Sequence, residues 1–315
     1  MKVTVASAEL PADEQIKIQK NRLEPLDGRK GKRISIVTGI HGDELEGQFV
    51  CYEILHRIKS HMDQLHGTVD VYPAINPMGI DNVERGLPDF DLDMNRIFPG
   101  NPDGTMYESL ASSVIQDIEG SDLVIDIHAS NIFLTAVPQI RINELHGDQL
   151  LPYASRLNCD FIWVHSNATV LESTLAYSMN SRGVPTLVVE MGVGMRITRE
   201  FGLQLTDGIL HVMQYLGIWS GSVGKCKKPI ISRDPDEVVF LNAPDSGIFM
   251  KNVNAGSFVR RGDLIGTLID PLEGTKTADI RASEDGWLFT IREYPVVQEG
   301  SLMGRILRGG HSAER

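Results

Sequence analysis

The sequence contains few cysteines and no long hydrophobic segment. Its three cysteines, Cys51, Cys159 and Cys226, form no C-x-x-C pair, so we expect no disulfide framework, and a reducing compartment fits. No apolar run approaches the length of a membrane span, and the N-terminus leads into polar sequence without the apolar core of a signal peptide. These absences predict a cytoplasmic protein with no membrane partner.

Basic residues are also scarce. The 315 residues include 30 Lys and Arg against 42 Asp and Glu, which gives a formal net charge of −12 at pH 7. Because nucleic-acid phosphates are bound by basic surfaces, this balance argues against nucleic acid as a partner. The same charge balance does not exclude a small anionic substrate, because binding such a substrate needs only one or two local arginines. A hydrophobic content of 42% in a chain of this length is sufficient to bury a large core.

Strand-like and helix-like segments alternate through the first two thirds of the chain, after a mixed segment at 1–30 that could form a peripheral hairpin. Apolar runs predict strands at 33–40, 68–75, 122–127, 161–164 and 186–189. Helical spacing of apolar residues predicts helices at 44–60, 105–119, 146–158, 171–182 and 198–218. The predicted fold class is therefore α/β, with a mixed, mostly parallel sheet flanked by helices.

The composition changes after residue 220. Glycine, lysine and proline residues at 221–235 are typical of a linker, and helical periodicity then disappears. Short β-type runs follow at 238–240, 247–250, 264–269 and 287–291. We therefore predict an α/β domain at 1–220 and a small all-β domain at 236–315.

The most informative stretch is the predicted strand-to-helix corner at 38–47. His41 follows the first predicted strand and Glu44 falls in the first turn of the predicted helix, so both side chains can point at one site. An imidazole and a carboxylate are typical zinc ligands, and a catalytic zinc needs a third protein ligand. The alternative is a chance His-x-x-Glu pair, because acidic residues are common in the first turn of a helix.

Two other predicted strands end in a polar residue that a buried strand does not need. His128 follows the strand at 122–127, and Glu190 follows the strand at 186–189. Sites in open α/β sheets form at the carboxyl ends of strands, so His128 is the natural third zinc ligand and Glu190 is a carboxylate at the same edge. Taken alone, His128 could be a structural histidine and Glu190 a partner for a neighbouring arginine.

A long loop predicted at 78–104 provides candidate substrate contacts, which are Arg85, Asn95 and Arg96. Arginine can hold a carboxylate through two parallel hydrogen bonds, and asparagine adds a donor. The alternative is that these arginines pair with the aspartates of the same loop. Arg141 alternates with apolar residues and is a weaker substrate-binding candidate, for which a surface or salt-bridge role is the simpler interpretation.

Five short motifs occur together in a fixed order. They are G-x-H-G-D-E at 39–44, N-P at 76–77, D-M-N-R-I-F-P-G at 93–100, D-I-H at 126–128 and V-E-M-G at 189–192. This set resembles the succinylglutamate desuccinylase/aspartoacylase family, a branch of the zinc carboxypeptidase group. The resemblance covers residues 33–218, and that family commonly ends in a small β domain similar to a barrel-sandwich hybrid. Met94 departs from the leucine that the family usually has, but the adjacent Asn-Arg pair is intact.

The resemblance implies a metal site and a base. His41, Glu44 and His128 would hold one zinc ion per chain. Zinc lowers the pKa of a bound water to about 7, and Glu190 would be the general base that takes the proton. The same ligand set does not exclude cobalt, manganese or iron.

The resemblance also implies how a substrate is held. Arg85 would polarise the scissile carbonyl and stabilise its oxyanion. Asn95 and Arg96 would bind the free carboxylate of the amino-acid moiety of the substrate. The expected activity is that of a zinc-dependent amide hydrolase that removes an acyl group from a small N-acyl amino acid.

Two alternatives remain open on the sequence. A metallocarboxypeptidase would use the same zinc site, but it needs an open groove where a deacylase of small substrates needs a confined pocket. A non-catalytic carboxylate-binding protein is the other alternative, although the presence of Glu190 with all three ligands argues against it. A homodimer is the default expectation for the oligomeric state.

The predicted β domain contains a stretch that resembles the hairpins of biotinyl and lipoyl domains, which present a lysine for modification. Lys276 does not lie in the usual carrier sequence. We therefore expect an unmodified structural domain that helps to cover the site or builds a dimer.

Overall fold

The computed structural model describes residues 1–88, 92–165 and 172–309. Its helices are α1 (Glu46–Lys59), α2 (Pro77–Asn82), α3 (Met106–Ile118), α4 (Gly147–Ala154), α5 (Leu175–Ser181) and α6 (Arg199–Tyr215). The first eight strands are β1 (Lys2–Glu9), β2 (Gln15–Leu23), β3 (Arg33–Thr38), β4 (Thr68–Ala74), β5 (Leu123–Ala129), β6 (Leu134–Asn143), β7 (Phe161–His165) and β8 (Thr186–Gly192). The remaining strands are β9 (Ile230–Ser232), β10 (Val238–Asn242), β11 (Gly247–Lys251), β12 (Ser257–Val259), β13 (Leu264–Asp270), β14 (Thr275–Arg281), β15 (Gly286–Arg292), β16 (Val296–Val297) and β17 (Leu302–Arg308).

One large sheet organises the fold. Neighbouring strands along it are β1, β2, β4, β3, β5, β8, β6, β15, β17 and β10. The central strands β4, β3, β5 and β8 are parallel, and β2 and β6 flank them in the antiparallel direction. Strands β1 and β2 form the peripheral hairpin expected for residues 1–30. The predicted mixed α/β fold is confirmed. Within the described ranges, none of the helices has the length and apolar character needed to cross a membrane.

The central strands are buried on both faces. On β3, Ile34 and Ile36 pack into a core shared with α1, α4 and α6, whereas Val37 packs into a second core shared with α3 and α5. Side chains alternate in this way because successive residues of a strand point to opposite faces. Burial on both faces explains why these strands are continuous apolar runs in the sequence.

Helix α3 shows how local sequence sets an element boundary. The Thr105 hydroxyl accepts a hydrogen bond from the backbone N–H of Glu108, and the Glu108 carboxylate accepts one from the N–H of Thr105 at 2.8 Å. This reciprocal capping box satisfies backbone donors that the first turn leaves unpaired. The helix predicted at 105–119 is confirmed.

Several predicted boundaries differ from the structure. Helix α1 begins at Glu46, so Glu44 lies in the turn before the helix and not in its first turn. Strands β5 and β8 continue beyond their apolar runs, so His128 and Glu190 lie inside strands. The predicted loop at 78–104 contains most of α2, and its residues 89–91 lie outside the described residues. Helix α5 begins at Leu175. The start predicted for this helix, residue 171, also lies outside the described residues.

Strand β6 is absent from the prediction. Its sequence is interrupted by Pro138, Gln139 and Arg141, which break the apolar run that marks the other strands. The pairing with β8 shifts register between Ala136 and Gln139, and such an irregularity accommodates the proline, which cannot donate a ladder hydrogen bond. Arg141 of this strand lines the site described below.

The C-terminal strands do not form an isolated unit. Strands β14, β13, β11 and β16 make a separate antiparallel sheet, whereas β10, β12, β15 and β17 belong to the large sheet. The connection is the pairing of β15 with β6, in which Thr290 lies opposite Ala136. The predicted linker at 221–235 contains β9, which pairs with β7. The domain boundary itself stays a prediction.

A buried charge cluster joins the edge hairpin to the sheet. Asp70 of β4 lies 3.2 Å from Lys20 Nζ and 2.7 Å from a guanidinium nitrogen of both Arg22 and Arg33. Burial alone would raise the pKa of Asp70, but the hydrogen bond from Arg22 and the charges of Arg33 and Lys20 hold that pKa below its usual range. The carboxylate is therefore ionised in the folded protein.

We expect Asp70→Asn to lower the free energy of unfolding by about 3 kcal/mol at pH 7, because buried Lys20 loses one of its carboxylate partners. Since folding lowers the pKa of Asp70, its stabilising contribution is present above pH ~4 and is lost as the pH falls below that value. Urea unfolding across this range should show the gap between wild type and variant narrowing in acid.

Asp148→Asn is the matched control, because the Asp148 side chain is 97% exposed. A loss of stability that is equal in the two variants, or a gap that does not depend on pH, would contradict the assigned role of Asp70.

Candidate metal centre and active site

The turn between β3 and α1 carries the first two predicted ligands. Gly39 has a φ of +70°, and a Cβ added to Gly42 would lie 2.0 Å from the backbone of Gly79 at the start of α2. Both positions therefore require glycine. The tight turn brings His41 and Glu44 to the carboxyl end of β3, beside the end of its parallel neighbour β5.

Three predicted metal ligands converge at this edge of the sheet. Glu44 lies between the two histidines, with His41 Nδ1 2.8 Å from Oε1 and His128 Nδ1 3.0 Å from Oε2. The two Nδ1 atoms are 3.2 Å apart, and all three residues are buried. Their potential ligand atoms lie within 4.8 Å of one another, which is close enough for one ion to contact all three.

Each histidine has a second carboxylate at its other ring nitrogen. His41 Nε2 lies 3.1 Å from Asp93, and His128 Nε2 lies 3.2 Å from Asp126. Metal-binding histidines commonly donate the N–H that faces away from the metal to a carboxylate, which fixes the tautomer and the ring orientation. With the protons on Nε2, both Nδ1 atoms are left to bind a metal.

Asp126 fits this interpretation for a further reason. The carboxylate is buried, and neither oxygen meets the geometry of a hydrogen bond to any described residue. A buried carboxylate without such bonds is costly unless an opposite charge offsets it. The neighbouring His128 carries part of that charge when a cation is bound at Nδ1. Sequence reasoning gave no role to Asp126 or Asp93, although both lie inside the quoted motifs.

The electrostatics keep the ligand carboxylate ionised. Burial would raise the pKa of Glu44, but the charges and hydrogen bonds of His41 and His128 hold it well below its usual range. Burial would lower the pKa of His41, but Glu44 and Asp93 raise it above its ordinary value. A bound divalent cation would replace the protons that the histidines share with these carboxylates.

Glu190 lies next to the predicted metal ligands, on the strand adjacent to β5. The register of β5 and β8 sets His128 directly opposite Glu190, and both side chains alternate with residues of the first core. They therefore point to the same face of the sheet. Glu190 also pairs with Arg141 of β6, with 3.2 Å between Oε1 and Nη1. The salt-bridge role considered for Arg141 is thus observed, at the site and not at the outer surface.

The other predicted substrate contacts surround the same space. Arg85 Nη1 donates to Glu44 Oε1 at 2.8 Å. Asn95 Oδ1 accepts from the backbone of Leu175 at 3.0 Å, which leaves the NH₂ group of Asn95 as its available donor. Arg96 is held by the backbone carbonyl of Asn95 at 2.8 Å.

A cavity of about 490 Å³ joins these side chains. This volume is within the range of about 300–1,000 Å³ that is common for small-molecule sites. The predicted site residues that line it are His41, Glu44, Arg85, Asn95, Arg96, His128, Arg141 and Glu190. Every residue selected from the sequence therefore reaches one cavity.

Sequence reasoning missed several residues of the cavity wall, and Arg305 is the charged one among them that lies farthest along the chain. Arg305 of β17 lines the cavity, although it lies in the C-terminal part of the chain. The available signal was a charged residue within the otherwise apolar strand of residues 302–307. Burial, together with the nearby positive charge of Arg141, lowers the pKa of Arg305 to about 10.

Comparison with known proteins identifies the family. The model of the succinylglutamate desuccinylase/aspartoacylase catalytic domain matches residues 30–216. The chain belongs to the succinylglutamate desuccinylase/aspartoacylase family. This confirms the resemblance that the five motifs indicated.

Similar proteins cover more of the chain than the family model does. The N-alpha-acetyl-L-2,4-diaminobutyric acid deacetylase of Halomonas elongata is 26% identical over 282 residues, covering 84% of this chain and 79% of that protein. A desuccinylase/aspartoacylase structure from Rhodobacter sphaeroides has a TM-score of 0.80 at 23% identity, covering 98% of this chain and 95% of the other. The product-bound structure of the ectoine utilization protein EutE from Ruegeria pomeroyi has a TM-score of 0.79 at 19% identity. The match covers 98% of this chain and 93% of the other. Both structures share the fold of this family member, including its C-terminal strands.

We expect Asp126→Asn to weaken zinc affinity by about 10- to 100-fold, because the amide no longer orients His128 or favours its Nδ1 for metal binding. Competition against a chromophoric chelator measures this affinity without any substrate. Asp122→Asn is the control, since Asp122 is exposed and contacts the backbone of Arg33, outside the cavity. Equal affinities in the two variants would remove Asp126 from the metal site.

Proposed function

We propose that the protein is a zinc-dependent amide hydrolase that removes the acyl group from a small N-acyl amino acid. The observation that carries this proposal is the convergence of His41, Glu44 and His128 in one cavity, with Glu190 opposite His128 on the next strand. Family membership and the deacetylase relative support the same reaction class. The size of the cavity supports a small-molecule substrate.

The donor set suits zinc. Two imidazole nitrogens and one carboxylate make a three-ligand set that leaves a coordination position open, as catalytic zinc sites require. Asp93 and Asp126 lie 3.1 Å and 3.2 Å from the outer ring nitrogens of His41 and His128, the position at which zinc-binding histidines commonly have a carboxylate partner. When bound, the ion supplies Lewis-acid activation of water and of the scissile carbonyl.

Glu190 is assigned as the general base and acid. It lies beside the ligand cluster with its carboxylate paired to Arg141, and its side chain remains partly exposed to the cavity. It takes a proton from the attacking water as the new C–O bond forms, and it returns that proton to the nitrogen as the C–N bond breaks. The products are a carboxylic acid and an amino acid with a free amine.

Arg85, Asn95 and Arg96 are assigned to substrate binding. Arg85 already donates to Glu44, so its guanidinium is positioned beside the oxygen of a carbonyl that approaches the metal site. The Asn95 NH₂ group and Arg96 are the donors for the free carboxylate of the amino-acid moiety. The assignment of these two functions to different arginines rests on the family and not on a distance in the structure.

The carboxypeptidase alternative is less well supported. A peptidase groove has to admit a chain that continues beyond the scissile bond. Here the pairing of β15 with β6 brings the C-terminal strands to the cavity, and Arg305 forms part of its wall. This arrangement favours a confined substrate. The cytoplasmic location and the homodimer stay predictions.

We expect Glu190→Gln to lower kcat by about 10²- to 10⁴-fold, because the amide cannot accept the proton of water. Zinc content should stay at one ion per chain, since Glu190 is not part of the ligand cluster. Steady-state kinetics and elemental analysis of the same preparation give both values. Activity that survives this substitution would reject Glu190 as the base.

We expect the zinc-loaded protein to release free amine from N-acyl amino acids, and expect chelation to abolish this activity until zinc is restored. A fluorogenic amine assay over N-acyl amino acids and short peptides measures it. Release only from peptide C-termini would favour the carboxypeptidase. Protein that binds no zinc and hydrolyses nothing after zinc addition would favour a non-catalytic carboxylate-binding role.

A further inference from the structure

A second cavity lies apart from the candidate active site. It is bordered by the turn after α4, by α6 and by the segment that leads into β9, and its volume is about 460 Å³. This volume is also common for small-molecule sites. Among the described residues, the two cavities share no lining residue. A ligand bound here would therefore occupy a site that the proposed hydrolase reaction does not use.

The lining of this second cavity is cationic in a protein that is acidic overall. Arg156, Lys227 and Lys228 line it together with His211. Residues 219–233 contain four basic residues and no acidic one, whereas the whole chain has a net charge of −12. Charge of one sign that is concentrated in a cleft raises the local concentration of ions of the opposite sign. The cavity is therefore suited to an anionic ligand.

The protein itself neutralises one of these cations but not the others. Lys227 Nζ lies 2.9 Å from a carboxylate oxygen of Asp160. Within the described ranges, no carboxylate lies at ion-pair distance from Arg156 or from Lys228. The cavity therefore presents two positive charges that no carboxylate of the described chain matches.

The Arg156 guanidinium is held in place before any ligand binds. Its carbon lies 4.0 Å from the centroid of the Tyr215 ring, and its Nη1 donates to the carbonyl of Pro152 in the last turn of α4. Interaction with a helix C-terminus is the simpler role for this arginine, but it engages only one of the guanidinium nitrogens. The other two form no hydrogen bond to any described residue. A stacked guanidinium with available donors is preorganised for an anion.

The segment that carries the two lysines is anchored to the body of the fold. Buried Asn158 accepts a hydrogen bond from the backbone N–H of Lys227 at 2.7 Å and donates to the carbonyl of Gln204 on α6 at 3.0 Å. The backbone N–H of Ile230, at the start of β9, donates to the carbonyl of Asp160 at 3.0 Å. These two backbone anchors flank the second lysine of the cavity. The wall is therefore fixed by contacts that do not involve a ligand.

A thiol borders the same cavity and does not cancel its charge. Cys226 is exposed, whereas Cys51 and Cys159 are buried. Partial burial raises the pKa of the Cys226 thiol, and the opposing effect of the Arg156 charge is smaller. The group is therefore a neutral thiol at pH 7. Because it is the exposed cysteine of the three, its reactivity reports on the occupancy of the cavity.

We propose that this cavity binds the phosphate group of a small molecule through Arg156 and Lys228. A phosphate group carries a charge of about −1.5 to −2 at pH 7, so one compact group matches both unpaired cations. Arginine offers a fork of donors to such a group, and lysine adds a point charge. The source is either inorganic phosphate or a phosphomonoester, whose organic part would contact Pro229 and Ile231 of the same cavity. This site does not depend on the proposed hydrolase function.

Alkylation of Cys226 by iodoacetamide tests the assignment without any measurement of activity. Mass spectrometry of the peptide that contains this cysteine gives its rate of alkylation in the intact protein, with potassium chloride at matched ionic strength as the reference. We expect saturating inorganic phosphate to slow the reaction at least about tenfold, because a bound dianion covers the thiol and disfavours the reactive thiolate. Cys51 and Cys159 should stay unmodified in folded protein, because both are buried.

Ribose 5-phosphate distinguishes the two sources of the phosphate group. If it protects Cys226 at a lower concentration than inorganic phosphate does, the ligand is a phosphomonoester. If the two protect at the same concentration, the phosphate group alone is the ligand. Neutral ribose should give no protection. Equal protection by succinate, whose two charges are separated by a carbon chain, would contradict the assignment to phosphate.

Arg156→Met should raise the half-saturating concentration of phosphate at least about tenfold, and Lys228→Met should raise it less, because an arginine makes more than one charge-assisted hydrogen bond to phosphate. Lys225→Met is the matched control, since Lys225 is exposed in the same segment and does not line the cavity. An unreactive Cys51 shows that each variant is folded. Equal half-saturation in Arg156→Met and Lys225→Met, or rates in phosphate equal to those in potassium chloride, would overturn the proposal.

Discussion

The parallel register between β5 and β8 is the constraint on which the site depends. It sets His128 opposite Glu190, so a proposed metal ligand and a carboxylate lie side by side although 61 residues separate them in the chain. The turn after β3 then needs only to deliver His41 and Glu44 to the same edge. Because the strands are buried on both faces, their pairing is fixed by hydrophobic packing that has no part in the chemistry.

Polar residues are tolerated in this interior because most of them have partners. Asp93 and Asp126 face the outer nitrogens of the two histidines, and Arg85 faces the ligand carboxylate. Other buried groups have no hydrogen-bond partner among the described residues, and they include the Asp126 carboxylate and the Nε atoms of Arg141 and Arg305.

The sequence was sufficient for the fold class and for the residues that converge at the metal cluster. Strong apolar runs mark β3, β5 and β8, and the ends of neighbouring parallel strands meet, so His41 and His128 could be placed together without coordinates. It was not sufficient for Arg305, whose position depends on the pairing of β15 with β6. That pairing joins segments that are distant in the sequence, and no local sequence pattern predicts it. The strand around Arg141 was not predicted, because its proline and polar residues interrupt the run of apolar residues that marks the other strands.

The continuation of the large sheet into the C-terminal strands has a consequence for the integrity of the protein. Strands β6 and β7 pair on their outer side with β15 and β9, both of which follow residue 220. A fragment that ends at residue 220 would keep every proposed metal ligand but would expose the backbone hydrogen-bonding groups of these strands. Unpaired strand edges are templates for association between chains. We therefore expect the C-terminal strands to protect the first 220 residues from association between chains, in addition to forming part of the cavity wall.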